Sequence, residues 1–291
     1  MLFIELCVIL QAIICKNMRK YILVSFCAVL LFSSCAHEFN TVFKSQNYSY
    51  KYEYAKECFA YGKYTRAITL LQELVTMQKG TENGQECLYM LAMAEYCAKD
   101  YATAAEYFKK YYQSYPKGYY ADMAKFFTGQ SLYMCTPEPR LDQSETLLAI
   151  NEFQEYLDLF PEAKMRDDAQ DRLLGLQAKL VLKELHNARL YYNLGSYFGN
   201  CTNGGNNYEA CIITSQNALK DFPYTPIREE FAILIMKSKY ELAQMSVEEK
   251  KLDRYQDAED ECYGFINQYP DSKERSTAEK YIKKCKEITK N

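Results

Sequence analysis

The segment YATAAEYFKKYYQSYP, residues 101–116, decides the fold of this chain. It begins with an aromatic residue, places Ala104 three positions later and ends with the pair Tyr115-Pro116. The same register recurs in segments that begin at Thr146, Tyr208 and Tyr255 and end at Phe160-Pro161, Phe222-Pro223 and Tyr269-Pro270. A fifth copy begins at Tyr64, with Ala67 at the small position and Lys79 in place of proline. A register repeated in this way is typical of tetratricopeptide-like repeats.

The register has a simple explanation in helix packing. Positions 3, 7, 10, 11 and 14 after the start lie on one face of an α-helix. In residues 101–116 that face carries Ala104, Phe108, Tyr111, Tyr112 and Tyr115. The small residue allows a partner helix to approach closely, and the proline ends the helix because it has no N–H donor. We therefore predict an all-α, right-handed solenoid of about five tetratricopeptide-like helix pairs with a C-terminal capping helix.

The first helix of each pair is also visible. Its large-small packing pair is Tyr54-Ala55, Leu91-Ala92 or Thr128-Gly129 in the first three copies. We expect a long helix over about 166–197, with Leu173, Leu174, Leu180, Leu185 and Leu190 on its apolar side. The glycines and asparagines of 199–207 exclude helix there. Further helices are predicted over about 227–245 and 272–289, the last capped by Asp271-Ser272.

The N-terminus predicts export and lipidation. A basic start at 18–20 precedes the apolar segment 22–32 and Cys35, which is typical of a bacterial lipoprotein signal. We predict a signal peptide over 1–34, acylation of Cys35, and a tether over 35–46. Residues 1–17 are interpreted as an over-extended start, with Met1 and Met18 both left open. An ordinary signal peptide or a membrane helix is the alternative.

Composition argues against several functions. The chain has 35 basic and 38 acidic residues, which gives no reason to expect nucleic acid binding. Its 12 cysteines include no C-x-x-C pair, so we interpret those of the mature chain as core residues rather than metal ligands. A disulfide between Cys201 and Cys211 is left open. His37 and His186 are the only histidines, no catalytic motif occurs, and we expect neither enzymatic activity nor a cofactor.

Aromatic residues predict a peptide-binding groove. In stacked helix pairs, the first helices line the concave side. The residues that we place there are Tyr52, Lys56, Phe59, Tyr89, Met93, Tyr96, Phe126 and Tyr133. Aromatic side chains give a large contact area at low entropic cost. The alternative is that these residues pack against the neighbouring repeat.

The chain resembles the BamD (ComL) family of outer-membrane lipoproteins. The similarity rests on the lipoprotein signal, the short tether and the five irregular repeats, and it covers nearly all of 45–285. It is best from Phe160-Pro161 onward, where 167–173 is similar to the start of that family's long helix. Residues 221–225, DFPYT, resemble the turn that closes its fourth repeat.

The resemblance implies a non-enzymatic subunit of the β-barrel assembly machine, anchored by Cys35 to the outer membrane and facing the periplasm. In such proteins the N-terminal half, here 47–161 of the repeat domain 47–291, binds unfolded barrel precursors. The C-terminal half, here 162–291, docks on the periplasmic domains of a BamA-like barrel subunit. Two alternatives remain open: a general periplasmic tetratricopeptide adaptor, and a nutrient-capturing surface lipoprotein.

Overall fold

The computed structural model describes residues 38–197 and 206–290, and all regular structure in them is α-helical. A short helix, α1, is described from residue 38 and ends at 44. The helices that follow are α2 (Tyr48–Ala60), α3 (Tyr64–Met77), α4 (Glu82–Cys97), α5 (Tyr101–Ser114), α6 (Ala121–Cys135), α7 (Ser144–Leu159), α8 (Arg166–Leu194), α9 (Asn207–Asp221), α10 (Arg228–Gln244), α11 (Glu248–Gln268) and α12 (Arg275–Thr289).

Helices that follow one another in the chain pack together. Direct contacts join α2 to α3, α3 to α4 and α4 to α5, and they join each helix from α7 to α12 to the next. The chain divides into two compact units, of which the first ends at Ser131 and the second begins at Leu132. The predicted all-α fold of tetratricopeptide-like helix pairs is confirmed.

The predicted packing face of the second helix in each pair is also confirmed. Ala104, Phe108 and Tyr111 are completely buried in α5, as are Ala149, Phe153 and Tyr156 in α7. The equivalent residues of α11, Ala258, Cys262 and Phe265, are at most 2% exposed. Residues 11 and 14 positions after the start are half-buried in all three helices. The register therefore specifies which side of each helix faces its partner.

The aromatic-proline pairs end four helices in one conformation. Tyr115, Phe160, Phe222 and Tyr269 have φ between -125° and -136° and ψ between 62° and 67°. Each donates its backbone N–H to the carbonyl four residues earlier. Where position 10 is also aromatic, the two rings lie 5.4–5.6 Å apart. The copy without proline ends differently, because Gly80 turns the chain with φ at 86°.

Two details of the predicted helices are wrong. The last helix begins at Arg275, and Ser272 instead lies in the preceding turn, where its Oγ accepts a hydrogen bond from the Glu274 N–H at 3.1 Å. On α8, Leu174 and Leu190 are 53% and 56% exposed, although both were expected on the apolar side. The buried residues of α8 are Ala169, Leu173, Leu176, Val181, Leu185 and Ala188. Leu174 follows the buried Leu173, and Leu190 lies two positions after the buried Ala188. Both leucines nevertheless face solvent.

Several predictions fall on residues that are not described. The signal peptide, Cys35, His37, Cys201 and most of the 199–207 loop lie there, so lipidation and the Cys201–Cys211 pairing stay predictions. Asn206 caps α9 by accepting the Tyr208 N–H at 2.8 Å. Within 38–197 and 206–290, no helix combines the length and apolarity that crossing a bilayer requires.

Candidate peptide-binding surfaces

Three of the predicted groove residues are largely buried. Tyr52, Tyr89 and Phe126 are only 6%, 9% and 4% exposed to solvent. The Tyr52 hydroxyl donates a hydrogen bond to the Glu86 carboxylate, which ties α2 to α4. The Lys56 ammonium lies 4.9 Å from the centre of the Tyr52 ring. Tyr52 therefore links two helices inside the first unit and offers little surface to a ligand.

Tyr89 is the centre of an aromatic cluster. Its ring stacks on Tyr120 at 4.3 Å and meets Phe108 and Tyr111 edge to face, both at 5.7 Å. Burial, followed by the neighbouring Tyr120, raises the pKa of the Tyr89 hydroxyl well above its ordinary value. These contacts fit the alternative that Tyr89 packs against neighbouring helices better than the prediction that it lines a peptide-binding groove.

The remaining groove residues keep accessible surface. Phe59, Met93 and Tyr96 are half-buried in the first unit, and the Lys56 side chain is 40% exposed. The Tyr96 ring packs against Tyr101 at 5.3 Å and Phe127 at 5.4 Å, which fixes its orientation. Lys56 Nζ also lies 3.8 Å from Glu53 Oε2, so its charge is partly balanced within α2. The accessible aromatic and apolar side chains suit contact with an apolar peptide.

Tyr133 belongs to the second unit and is half-buried there. The Arg172 guanidinium of α8 lies 4.9 Å from the centre of its ring. This cation-π contact holds the start of α8 against the end of α6. The observed contact of Tyr133 therefore lies within the second unit.

An exposed apolar cleft in the second unit was missed by the sequence reasoning. It has a volume of about 390 Å³ and is lined on one side by Leu174, Ala178 and Val181 of α8. The turn after α9 forms the other side, from Asp221 to Pro226. Tyr224, at its edge, is 96% exposed. The sequence signal for this cleft was the pair Pro223 and Pro226. Prolines on both sides of Tyr224 favour a turn, and a turn leaves the aromatic side chain exposed.

Five of the seven described thiols are core residues, whereas Cys97 and Cys135 are half-buried. Cys58, Cys87, Cys211, Cys262 and Cys285 are at most 3% exposed, and none of them is bonded to another described cysteine. Burial raises the pKa of Cys87 and Cys262 to about 12, so both stay protonated and unreactive near neutral pH. In the described ranges, no cluster of three or more histidine, cysteine or acidic side chains could hold a metal ion.

Comparison with known proteins identifies one family. The YfiO family model, described as an outer membrane lipoprotein, matches residues 44–255. This is the domain of the BamD family, so the resemblance inferred from the sequence is confirmed. No curated protein matches the chain.

Among solved structures, the chain is similar to a single-substitution variant of nearly identical tetratricopeptide-like repeats from a Podospora anserina kinesin light chain protein. The identity is 13%, over 82% of this chain and 92% of that one, with a TM-score of 0.31.

Proposed function

The chain belongs to the YfiO family of outer membrane lipoproteins, and from this premise we propose that it is a non-enzymatic subunit of the machine that assembles β-barrel proteins in the outer membrane. The match over residues 44–255 carries the proposal, because it covers most of the repeat domain. We further propose that acylated Cys35 anchors the chain to the membrane and that the repeats face the periplasm.

We propose that the first unit binds unfolded barrel precursors. The accessible side chains of Phe59, Met93 and Tyr96 support this role through apolar contact, and the Lys56 ammonium, which also pairs with Glu53, supplies a positive charge on α2. An extended precursor segment that ends in an aromatic residue and a carboxylate would place its ring on the apolar side chains and its carboxylate near the ammonium. Tyr52, Tyr89 and Phe126 would support this surface from below rather than contact the ligand.

Precursor binding is tested with a synthetic peptide of a barrel C-terminus and the full chain in detergent. Replacing both Met93 and Tyr96 by alanine is expected to weaken binding about fivefold or more, as loss of central contact residues does. The matched control is Tyr61→Ala, which removes a tyrosine that is 74% exposed. Equal affinities in the three proteins would contradict this assignment of the surface.

We propose that the second unit docks on the barrel subunit through the cleft between α8 and the turn after α9. Leu174 and Tyr224 support this role because both are exposed beside an apolar depression. Isolated exposed leucines are common on protein surfaces, whereas apolar patches with a concave shape mark binding sites.

The decisive experiment is affinity purification from detergent-solubilised outer membranes through a C-terminal tag, followed by mass spectrometry. The expected result is recovery of the barrel-assembly subunit in near-equal amount. Leu174→Asp should abolish that recovery, whereas Leu148→Asp, at an equally exposed leucine of α7, should not. Recovery of other envelope proteins instead of the barrel subunit would favour a general periplasmic adaptor.

The lipid anchor has a separate test. Cys35→Ala is expected to abolish incorporation of labelled palmitate, because the acylated thiol is removed. Cys58→Ala, which changes a buried cysteine of α2, should leave labelling intact. Palmitate incorporation that survives Cys35→Ala would refute the predicted lipoprotein signal.

A further inference from the structure

The segment that we predicted as a tether contains a helix that packs on the first unit. Residues 38–44 form α1, and Val42 on this helix is completely buried. Phe39 is half-buried and packs against the same core as Val42, which α2 and α3 share. Its ring stacks on the ring of Phe43 at 6.1 Å. Because α1 belongs to the folded unit, it fixes the point at which the chain enters that unit.

Two cation-ring contacts give the direction of α1. The Arg66 guanidinium, in the first turn of α3, lies 5.6 Å from the centre of the Phe39 ring. The Lys51 ammonium, near the start of α2, lies 5.8 Å from the centre of the Phe43 ring. The end of α1 therefore lies beside the start of α2, and its beginning lies beside the start of α3. The turn 61–63, which joins α2 to α3, is at that same end of the helices.

The length of chain before α1 places this end of the unit near the membrane. Cys35 stands three residues before the first described residue. Three residues span at most about 11 Å, even when fully extended. Acyl chains on Cys35 would insert into the hydrocarbon layer, so Cys35 would lie at the membrane surface. The beginning of α1 is then held within about 11 Å of that surface, and the neighbouring turn 61–63 is held close to it.

The turn 61–63 carries side chains that suit a membrane interface. Tyr61 is 74% exposed, and Lys63 is exposed as well. Lys63 Nζ lies 5.5 Å from the centre of the Tyr61 ring. Within 38–197 and 206–290, no acidic side chain forms an ion pair with Lys63. Tyrosine is enriched at the level of the lipid headgroups because it has an apolar ring and a polar hydroxyl, and a lysine near an anionic membrane surface is attracted to it.

We propose that Tyr61 and Lys63 contact lipid headgroups and hold the first unit against the membrane beside its acyl anchor. The Lys63 ammonium pairs with a lipid phosphate, and the Tyr61 ring lies among the headgroups. An acyl anchor fixes one point of the chain, whereas a second contact on a folded unit also fixes the orientation of that unit. This proposal rests on the proposed acylation of Cys35, and it adds the surface of the first unit that faces the membrane.

The test uses the absence of tryptophan from the chain, because a single introduced tryptophan then reports alone. Tyr61→Trp is made in the full acylated chain, which is reconstituted in vesicles of phosphatidylethanolamine and phosphatidylglycerol. Part of the lipid carries a nitroxide on its headgroup, which quenches tryptophan emission at short range. No other protein is present, so quenching reports contact with lipid rather than with a protein partner.

The matched reporter is Tyr119→Trp, at a tyrosine that is 87% exposed in the turn between α5 and α6. Helices α2 to α5 pack consecutively and are joined by short turns, so they alternate in direction. Tyr119 therefore lies at the other end of the helices from Tyr61, about 21 Å away along α5. We expect the nitroxide to lower the emission of Tyr61→Trp about twofold or more and to leave that of Tyr119→Trp nearly unchanged.

Charge reversal tests the role of the lysine. Lys63→Glu, combined with Tyr61→Trp, should reduce the quenching about twofold or more, because the new carboxylate is repelled by anionic headgroups. Lys117→Glu, at an exposed lysine in the turn before α6, is the matched change and should leave the quenching intact. Equal quenching of the two reporters, no quenching of Tyr61→Trp, or full quenching in the presence of Lys63→Glu would each overturn the proposal.

Failure of this test is distinguishable from failure of the proposed function. Incorporation of labelled palmitate and flotation of the chain with vesicles report on the anchor and do not depend on the turn. If the chain carries palmitate and floats but Tyr61→Trp is not quenched, only the headgroup contact is wrong. If the chain carries no palmitate, the proposed anchor is wrong and the contact is refuted with it. Recovery of the barrel subunit from membranes tests the assembly role separately from both.

Discussion

The two units use tyrosine and glutamate in opposite ways. In the first unit, Glu86 of α4 accepts a hydrogen bond from Tyr52, and the Tyr52 ring also meets the Lys56 ammonium. In the second unit, Glu241 of α10 is half-buried, and no described side chain donates a hydrogen bond to it. Both glutamates are half-buried and belong to the first helix of a pair. The same residue type thus ties two helices together in the first unit and has no described side-chain partner in the second.

The comparison also separates structural from accessible tyrosines. Tyr89 contributes three ring contacts to the core of the first unit, whereas Tyr224 of the second unit is almost fully exposed. Tyrosine content alone therefore does not indicate binding. The informative quantity is whether the hydroxyl and the ring already have partners within the unit.

The largest effect is expected from Tyr89→Ala. Removing this ring leaves a cavity among Phe108, Tyr111 and Tyr120, so the free energy of unfolding should fall by about 3–5 kcal/mol. Tyr224→Ala should change it by less than about 0.5 kcal/mol, because an exposed side chain loses no packing. Urea unfolding followed by circular dichroism measures both, and hydrogen exchange in α4 and α5 locates the loss. A small effect of Tyr89→Ala would mean that the ring is accessible for binding after all.

The next prediction tests the difference between the two glutamates directly. Glu86→Ala leaves the Tyr52 hydroxyl buried without an acceptor, which should cost about 1–3 kcal/mol of stability. Glu241→Ala removes no internal bond and should stay within about 0.5 kcal/mol of the unchanged chain. The same unfolding measurement compares the two variants. A loss of similar size for Glu241→Ala would show that this carboxylate also has an internal role.

Sequence reasoning went furthest where the constraint is local. The aromatic-proline register specifies helix ends such as Tyr115 and Tyr269, because proline acts on the backbone beside it. It also specifies the buried face around Ala104, since helical periodicity places those positions together. The family resemblance could be drawn from the same segments, and the match over 44–255 confirms it.

Sequence reasoning failed where the outcome depends on several helices. The partners of Tyr52 and Tyr89 come from α4, α5 and the turn before α6, so their burial could not be read from α2 and α4 alone. Ser272 has the chemistry of a cap, but the turn that follows Pro270 delays the helix to Arg275. That Glu241 lacks a side-chain partner among the described residues could not be predicted either, because it depends on which residues the neighbouring helices place beside α10.

The smallest effect concerns a second glutamate without a described side-chain partner, this time largely buried in the first unit. Glu95 of α4 is 7% exposed, and within the described ranges no side chain bonds to it. Burial, followed by the charge of Asp100, raises the pKa of its carboxyl. A group whose pKa is higher in the folded state contributes stability at low pH and loses that contribution as the pH rises through the folded pKa.

Glu95→Gln should therefore raise the melting temperature at pH 7, where the charge is unfavourable, by an amount equivalent to about 0.5 kcal/mol after solvent screening. The difference should close as the pH falls below about 4.3, the ordinary value for glutamate, because the carboxyl is then neutral in both the folded and the unfolded chain. Glu106→Gln, at an exposed glutamate of α5, is the control and should show no such convergence. If Glu95→Gln instead lowers stability at pH 7, then Glu95 accepts a bond when folded and differs less from Glu86 than its burial suggests. A gap that opens as the pH rises through the folded pKa would show that a largely buried carboxylate without a side-chain partner costs stability, in contrast to Glu86, which accepts a hydrogen bond from Tyr52.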